Sequence, residues 1–470
     1  RSLSLMAEKA MGDGMTGDRR RIWGWWFFDW ASQPYHTLLL TFIFSIYFAE
    51  VARTHFISQG MDAMQAGAQA QALWGYGLAV AGAVIALAAP VLGAVADSSG
   101  RRLPWIWVFS AFYVIGAAGL WSLTPDQPPL VQAVVLFGIG LIGVEFATIF
   151  TNAMLPGLAP RADIGRISGS GYAFGYLGGV VALAVMLLLF AETPTGRTLL
   201  GIPPLLGLDP AAREGTRFVG PFTALWYAVF MLPFFLWVRD AGPGRPIRVG
   251  AALRDLWALI RSLRHRRSLA AWLASSMFSR DALNALYGFG GVYAGTVLGW
   301  PVFLAGVFGV VSAVSAAVIS WLGGRADRAF GPRAVIVAAI LALMAVCLLL
   351  VGMDRTSVLG IPTPDAILGS LRLPDLIFFA CGAVIGGAGG ALQAASRTMM
   401  VRHTTPERAT EGFGLYALSG KATAFLAPFL IAVTTDLTGN PRIGFLPLIV
   451  IFLVALVLLV WVDPEGESPT

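Results

Sequence analysis

Long apolar runs recur along the whole chain, and short stretches that hold Gly, Pro and most of the charged residues separate them. A run of about 18 or more apolar residues can cross the roughly 30 Å hydrocarbon core of a bilayer as an α-helix. The pattern predicts twelve such helices, which we call spans one to twelve. Their predicted bounds lie near residues 22–50, 73–96, 104–124, 130–156, 168–191, 219–238, 269–297, 301–323, 334–353, 374–400, 411–435 and 442–462.

The composition fits a surface that faces lipid rather than water. Hydrophobic residues occupy 57% of the 470 positions and charged residues only 12%, and the mean hydropathy is +0.73. The 55 glycines suit close helix packing, because small residues let helix backbones approach each other in lipid. We therefore expect an all-α membrane protein. The two cysteines, Cys347 and Cys381, fall inside spans and receive no function.

Positive charge lies mainly on one side of the predicted spans. With a cytoplasmic N-terminus, 23 of the 32 Lys and Arg residues fall on the cytoplasmic side and seven on the outer side. Since positive residues accumulate in cytoplasmic loops, we expect both termini in the cytoplasm. The net charge of +6 is explained by these loops and by lipid headgroups, so nucleic acid is not an expected partner. The first 18 residues hold no apolar run of signal-peptide length, and residues 1–21 are expected to form a cytoplasmic leader.

The longest predicted cytoplasmic connection, residues 239–268, is rich in Arg and carries a helical apolar pattern. Its apolar positions are Leu253, Leu256, Leu259, Ile260 and Leu263. This spacing predicts a short amphipathic helix that lies on the lipid surface. A binding site for a regulatory partner is the alternative.

The chain contains an internal repeat. Gly93, Asp97 and Arg101 in the loop after span two correspond to Gly323, Asp327 and Arg333 in the loop after span eight. Spans one and seven each carry an Asp followed six residues later by a Tyr, at Asp29–Tyr35 and Asp281–Tyr287. A parallel duplication of a six-span half explains both matches. The expected organisation is a half at 22–238, a linker at 239–268, a second half at 269–462 and a cytoplasmic tail at 463–470.

Three segments carry a resemblance to a known family: Asp29–Thr37 (DWASQPYHT), Ser168–Gly179 (SGSGYAFGYLGG) and Gly412–Lys421 (GFGLYALSGK). With the two Gly-Asp-Arg loops, they resemble the vacuole-effluxer-like family of the major facilitator superfamily. The resemblance covers about residues 23–459. It implies twelve helices in two six-helix halves related by pseudo-two-fold symmetry, with spans one, four, seven and ten around a central cavity. Fungal members of the family are associated with export of amino acids from the vacuole.

The chain departs from the family pattern in span one. The family continues Asp-Trp-Ala with Asn-Ser, whereas this chain has Ser32 and Gln33, followed by Pro34. An amide is lost at one position and gained at the next, which changes the hydrogen bonds a ligand would meet if this stretch lines the cavity.

Five charged side chains lie deep inside predicted spans, about 10–18 Å from the predicted cytoplasmic ends at about 1.5 Å per residue: Asp29, Glu145, Arg280, Asp281 and Lys421. A charge at mid-helix costs about 2.5–3.5 kcal/mol to insert, so each needs a partner, a wet cavity or a function. Three carboxylates face two cations, which leaves one acidic group that could carry a proton or bind a cation. The alternative is that all five form ion pairs that only hold helices together.

Span one also carries a polar stripe. Asp29, Gln33 and His36 follow at spacings of four and seven, which places them on one helix face. Pro34 removes the hydrogen bond to the Trp30 carbonyl, which is expected to kink the helix and to expose backbone acceptors to a ligand or water. His36 is a candidate proton relay with Asp29, or a residue that is simply hydrogen-bonded across helices.

The repeated loops supply a candidate gate. The resemblance implies that Asp97, Arg101, Asp327 and Arg333 latch neighbouring helix ends on the cytoplasmic side, pairing in one conformation and separating in another. Asn152 and Arg397, near the inner ends of spans four and ten, are candidates for the same layer. The alternative is that these charges only determine topology.

These features favour a secondary transporter that moves a small polar or zwitterionic solute, with an amino acid as the first candidate, by alternating access coupled to protons or another cation. A lipid translocator, or a receptor or assembly factor on the same scaffold, is the alternative. An enzyme is not expected, because the four His residues show no ligand-like spacing and the chain has no phosphate-binding Gly-Lys-Ser/Thr loop. We expect no cofactor and no metal, a monomer, and a multi-pass location in a bacterial inner (plasma) membrane.

Overall fold

A computed structural model describes residues 19–298, 300, 302–424, 426–438, 440 and 442–467. Residues 1–18 of the expected leader and residues 468–470 of the expected tail lie outside the described residues.

The chain forms two compact units. Unit 1 comprises the described residues of Arg1–Ala89, Val95–Met154 and Phe174–Ile247, and unit 2 comprises those of Pro90–Ala94, Leu155–Ala173 and Arg248–Thr470. Two short segments that precede the predicted linker, Pro90–Ala94 and Leu155–Ala173, thus pack as part of unit 2. The domain boundaries given above stay a prediction.

Helices account for nearly all of the regular structure in the described residues. Span one runs from Arg19 to Ser58 and contains a π-helix at Tyr35–Phe42 and an α-helix at Phe44–Ser58. Spans two to six are Ala63–Ser99, Leu103–Gly119, Leu130–Ala153, Ile164–Val185 and, for span six, Val219–Phe230 with Leu232–Trp237. The linker helix is Val249–Ser262. Spans seven to ten are Arg267–Thr296, Val302–Phe330, Pro332–Gly352 and Leu373–Arg402. Span eleven consists of Ala409–Ala422 and Leu426–Thr438, and span twelve is Leu446–Leu458.

Shorter elements join the spans. Single turns of 3₁₀-helix occur at Leu120–Ser122, Leu155–Gly157, Arg161–Asp163, Leu205–Gly207, Pro406–Arg408, Ile443–Phe445 and Leu459–Trp461. Met186–Phe190 is a π-helical turn, and Glu214–Arg217 is a short α-helix. Strands Ser357–Val358 and Ile361–Pro362 form an antiparallel hairpin between spans nine and ten. Its turn residues, Leu359 and Gly360, both have positive φ, as a tight two-residue hairpin requires.

Eleven helices of the described residues are long and apolar enough to cross a membrane. The helix Arg267–Thr296, which is span seven, is not among these eleven although it has 30 residues. Arg280, Asp281 and several Ser residues make it less apolar than the other spans. With span seven the helices match the twelve-span fold that the sequence predicts.

Some helices extend past the predicted apolar windows into more polar sequence. Span two begins at Ala63 rather than near residue 73, and span one ends at Ser58 rather than near residue 50. Hydropathy records only the part of a helix that suits lipid, because hydrogen bonding within a helix can continue into water. Span eleven is broken between Ala422 and Leu426, whereas the apolar window predicted one continuous helix.

Unit 1 is held together by close helix contacts and stacked rings. A Cβ on Gly116 of span three would overlap the backbone of Gly140 in span four, so the two backbones touch. Tyr113 stacks on Tyr227 of span six with a centroid distance of 4.0 Å. The Tyr35 hydroxyl donates to the Phe137 carbonyl at 2.5 Å. These contacts fix spans one, three, four and six against one another.

Unit 2 uses the same packing principle between spans eight and ten. A Cβ on Gly386 would overlap the Ser312 backbone, and one on Gly382 would overlap the Phe308 ring. Phe308 stacks on Phe378 at 4.6 Å between centroids. The Ser315 hydroxyl donates to the Ala383 carbonyl at 2.5 Å. Close approach of small residues therefore places spans eight and ten in direct backbone contact.

Candidate functional site

Asp29 and Gln33 lie against a stripe of glycines in span five. A Cβ on Gly175 would sit 3.1 Å from the Asp29 Cβ, and one on Gly179 would sit 2.9 Å from the Gln33 Cγ. The Gln33 amide also lies 3.5 Å from the Thr37 hydroxyl. Because Gly175 and Gly179 have no side chains, two polar residues of span one fit directly against the span five backbone. Both remain partly exposed.

His36 of span one meets Glu145 of span four. The His36 Nε2 lies 3.8 Å from the Glu145 Oε1, and the two side chains are 35% and 25% exposed. The pair is therefore close enough for an ionic contact when His36 is protonated, and both members remain partly accessible. The polar stripe predicted in span one thus divides, with Asp29 and Gln33 toward span five and His36 toward span four.

The helix changes from α to π directly after Pro34, and span six supplies the hydrogen-bond donor that Pro34 lacks. The π-helix of span one begins directly after Pro34, at Tyr35. The Trp30 carbonyl, which lacks its usual helical donor because Pro34 has no N–H, accepts a hydrogen bond of 3.1 Å from the Trp226 indole. The acceptor that we expected to meet a ligand or water is occupied by Trp226 of span six. Sequence reasoning missed Trp226, since nothing in the sequence links it to position 30.

Arg280 and Asp281 of span seven contact the two helical pieces on either side of the break in span eleven. The Arg280 guanidinium donates to the Tyr416 carbonyl at 2.5 Å and to the Ser419 hydroxyl at 2.8 Å, and it lies over the Tyr416 ring. The Asp281 carboxylate, only 2% exposed, accepts from the Ala427 backbone N–H at 3.0 Å. The cation thus binds the C-terminal half of the first helical piece, and the anion binds the amide end of the second.

These contacts explain why two adjacent opposite charges are tolerated in span seven. Neighbours on a helix point about 100° apart, so Arg280 and Asp281 cannot satisfy each other fully. Asp281 instead supplies an acceptor to an amide of the first turn of Leu426–Thr438, which has no partner within its own helix, and Arg280 binds polar groups in the C-terminal half of Ala409–Ala422. Lys421 is the last-turn cation of Ala409–Ala422 and is exposed at the break.

The loop after span two is tied down by acidic residues of unit 1. Arg102 donates to Asp97 at 2.8 Å. Arg101 lies 3.8 Å from Asp240, which also accepts from the Arg102 backbone N–H at 2.9 Å. Asp240 directly follows span six, so one loop joins the ends of spans two, three and six. The sequence motif indicated a basic residue at this place but not which of the two adjacent arginines pairs.

The loop after span eight contacts the start of span five. Asp327 is buried, and a Cβ on Gly165 would overlap its carboxyl group. Arg328 lies 3.3 Å from Asp163. Asp327 therefore lies at the N-terminal turn of Ile164–Val185, where backbone amides and the helix dipole favour an anion. Arg333 lies partly exposed in the first turn of span nine.

Arg397 of span ten is only 2% exposed, and its side chain binds residues of span five. Its guanidinium donates to the Ser168 hydroxyl at 2.8 Å and to the Ser168 carbonyl at 2.7 Å. Its Cζ also lies 4.2 Å from the centroid of the Tyr172 ring. A planar guanidinium suits this combination of two hydrogen bonds and a ring contact better than an ammonium group. Asn152 is buried near the end of span four in unit 1.

Residues Leu155–Ala173, which we call the gate segment, are thus contacted repeatedly by other parts of unit 2. Contacts reach Asp163 from Arg328, Gly165 from Asp327 and Ser168 from Arg397. Gly169 adds a close approach to the Ser320 carbonyl and Gly324 of span eight. Sequence reasoning selected Asp327 and Arg397 but missed Ser168 and Tyr172, although both lie in a segment that carries the family resemblance.

A family model described as vacuole effluxer Atg22 like matches residues 17–468. The chain belongs to this family. The uncharacterized MFS-type transporter YxiO of Bacillus subtilis is 26% identical over 451 residues, which is 94% of this chain and 95% of YxiO. Autophagy-related protein 22-1 of Aspergillus niger is 25% identical over 314 residues, which is 64% of this chain and 47% of the fungal protein. The chain therefore spans about half the length of this fungal relative.

Solved structures of major facilitator transporters share the fold. The human organic anion transporter MFSD10 superposes with a TM-score of 0.66 at 15% identity, covering 94% of this chain and 99% of that one. The proton:xylose symporter XylE gives a TM-score of 0.69 at 11% identity, covering 95% of both chains. At such identities the likeness establishes the twelve-helix architecture alone. The chain is accordingly a multi-pass membrane protein of the MFS transporter type.

Proposed function

We propose that the protein is a secondary active transporter that moves a small polar or zwitterionic solute by alternating access, driven by a proton gradient. An amino acid is the first solute to test, because the sequence resembles a family whose fungal members are associated with amino-acid efflux. We further propose that both termini lie in the cytoplasm of a bacterial cell, following the distribution of Lys and Arg.

One observation carries the coupling proposal. His36 and Glu145 are two titratable side chains on separate spans, 3.8 Å apart and both partly exposed. Ionisable side chains within spans are costly to bury unless they pair with each other, contact water or carry charge across the membrane. Asp29 lies seven residues before His36 on span one, and its carboxylate is the group we assign to proton uptake and release.

The charges of unit 2 support a division of labour. Arg280 and Asp281 are engaged by the ends of the broken span eleven, which favours a structural role for both. Lys421 is exposed at the same break, and we assign it the contact with an anionic group of the solute. The carboxylate group of an amino acid is a suitable partner for an ammonium group.

Uptake into proteoliposomes tests this function. A panel of amino acids, sugars and organic anions is measured with and without an imposed pH gradient, for the wild type, Asp29→Asn, Glu145→Gln and the control Asp126→Asn. Asp126 lies exposed in the loop between spans three and four, so its substitution removes the same charge at no predicted site. We expect gradient-dependent uptake of at least one solute, lost in Asp29→Asn and Glu145→Gln and retained in Asp126→Asn.

The same preparation separates the alternatives. Uptake that ignores the gradient and is unchanged in Asp29→Asn would contradict the proton-coupling proposal. No flux of any solute, together with scrambling of a fluorescent phospholipid in the same vesicles, would instead favour a lipid translocator.

A further inference from the structure

The C-terminal segment Val462–Glu467 is fastened to the ends of spans seven and ten. The Ser268 hydroxyl accepts from the Asp463 backbone N–H at 2.8 Å and lies 2.7 Å from the His403 Nε2. The Glu467 carboxylate accepts from the Ser268 backbone N–H at 2.9 Å. Ser268 and His403 are both buried, so this attachment is internal to unit 2 rather than a loose surface contact.

A second set of contacts holds the middle of the segment. The Arg402 guanidinium donates to the Pro464 carbonyl at 2.8 Å. Gly466 has φ +77 and would place a Cβ against the Arg402 backbone, so this close turn requires glycine. Arg266 lies 3.8 Å from the Glu467 carboxylate. The segment therefore has one path across the ends of the two spans.

This path presents Glu465 to the gate segment. The Glu465 carboxylate lies 3.2 Å from Arg161 and 3.7 Å from Arg402. Arg161 opens the single 3₁₀ turn that precedes span five, directly before the positions held by Arg328, Asp327 and Arg397. Glu465 thus links the fastened C-terminal segment to the same stretch that those residues hold.

We propose that Val462–Glu467 is a built-in latch that favours the conformation in which the gate segment is bound to spans eight and ten. The inference rests on the proposed alternating-access function, in which the gate segment must separate from those spans once per cycle. Glu465 and Arg161 are 73% and 50% exposed, so the pair is a weak contact that can open and close readily. The buried attachment at Ser268 keeps the latch in place when that pair opens.

The test measures release of the gate segment without a transport substrate. Ser320 is fully buried against Gly169, and its hydroxyl has no hydrogen-bond partner among the described residues, so Ser320→Cys is a mild change. In a background with Cys347→Ala and Cys381→Ala, a maleimide labels position 320 only when the gate segment moves away. The labelling rate is compared for the background, Glu465→Gln, Arg161→Gln, both together, and the exposed control Glu407→Gln.

We expect Glu465→Gln and Arg161→Gln each to raise the labelling rate about two- to fivefold, which is the range that an exposed ion pair allows. The double variant should be no faster than Glu465→Gln alone, because that substitution already removes the Glu465–Arg161 pair. Glu407→Gln should leave it unchanged.

Unchanged rates in both single variants, or additive increases in the double variant, would overturn the latch. If the cysteine variants fold poorly, hydrogen–deuterium exchange of residues 161–173 in the natural chain with and without Glu465→Gln gives the same comparison. Unaltered exchange there would also overturn it. Since neither readout depends on flux, the latch can fail while transport is demonstrated, and transport can fail while the latch is demonstrated.

Discussion

Removing the Asp281 carboxylate is expected to destabilise unit 2 through the second half of span eleven. In Asp281→Ala the Ala427 N–H stays buried but loses its acceptor, which costs about 1–3 kcal/mol. The N-terminus of a 13-residue helix also loses its nearby negative charge, which costs about 0.3–1 kcal/mol more. Part of this is offset because a buried carboxylate no longer has to be desolvated. We expect a net loss of about 2 kcal/mol.

Asp281→Asn separates the two contributions. The amide oxygen can still accept from Ala427, so only the charge is lost and the expected cost falls to about 1 kcal/mol or less. Asp365→Asn is the control, since Asp365 is 98% exposed and its ion pair with Arg372 is expected to contribute little.

Thermal unfolding in detergent at one fixed scan rate measures the series, because membrane proteins of this size often unfold irreversibly and the apparent Tm depends on scan rate. The Asp281→Ala value should fall by about 3–6 °C. Hydrogen exchange should rise at the first amides of Leu426–Thr438 and not in span twelve. If the apparent Tm of Asp281→Ala equals that of the Asp365→Asn control and hydrogen exchange at Leu426–Thr438 is unaltered, then the carboxylate does not stabilise this helix end.

Three further predictions follow from the described contacts. Trp226→Phe should lower stability by about 1–2 kcal/mol in thermal unfolding, because the Trp30 carbonyl loses its donor. In a Pro34→Ala background the cost should be smaller, because the backbone N–H at position 34 is restored, and an equal cost in both backgrounds would contradict this account. Arg397→Lys should raise the hydrogen-exchange rate of the gate segment about tenfold or more, because an ammonium group cannot make both hydrogen bonds and the ring contact. Protection equal to that of the wild type would refute the role of the guanidinium. Burial lowers the pKa of His403 below its usual value near 6.5. The stabilisation from neutral His403 is therefore complete above about pH 6.5 and is lost as pH falls through that value toward the lower folded pKa. His403→Gln should flatten this acid dependence of unfolding, and an unchanged pH profile would show that other groups cause it.

Much of the architecture could be predicted from the sequence because it depends on composition over long windows. Apolar length, charge sidedness and the repeat around Asp97 and Asp327 are each encoded over many residues. The twelve-helix fold is confirmed by the structural likeness to MFS transporters. The loss of the helical donor to the Trp30 carbonyl could also be anticipated, because a missing N–H is a property of proline itself.

What could not be predicted depends on contacts between spans distant in sequence. The break in span eleven is compensated by Arg280 and Asp281, which lie about 140 residues earlier, so its apolar window still indicates one helix. Arg102 rather than Arg101 pairs with Asp97, and this depends on the loop position set by the hydrogen bond from the Arg102 backbone N–H to Asp240. The assignment of Asp29, Gln33, His36, Glu145 and Lys421 to transport stays a prediction.

The order of Arg280 and Asp281 gives span seven a direction that its composition does not express. Exchanging them, as Arg280→Asp with Asp281→Arg, leaves net charge, hydropathy and helix length untouched. It nevertheless brings a carboxylate to the Tyr416 carbonyl in the C-terminal half of one helical piece and a guanidinium to the amide end of the other, so each meets partial charge of its own sign. Any redesign of span seven that treats these two residues as interchangeable polar positions would therefore preserve every bulk property of the helix and lose the join that it makes with span eleven.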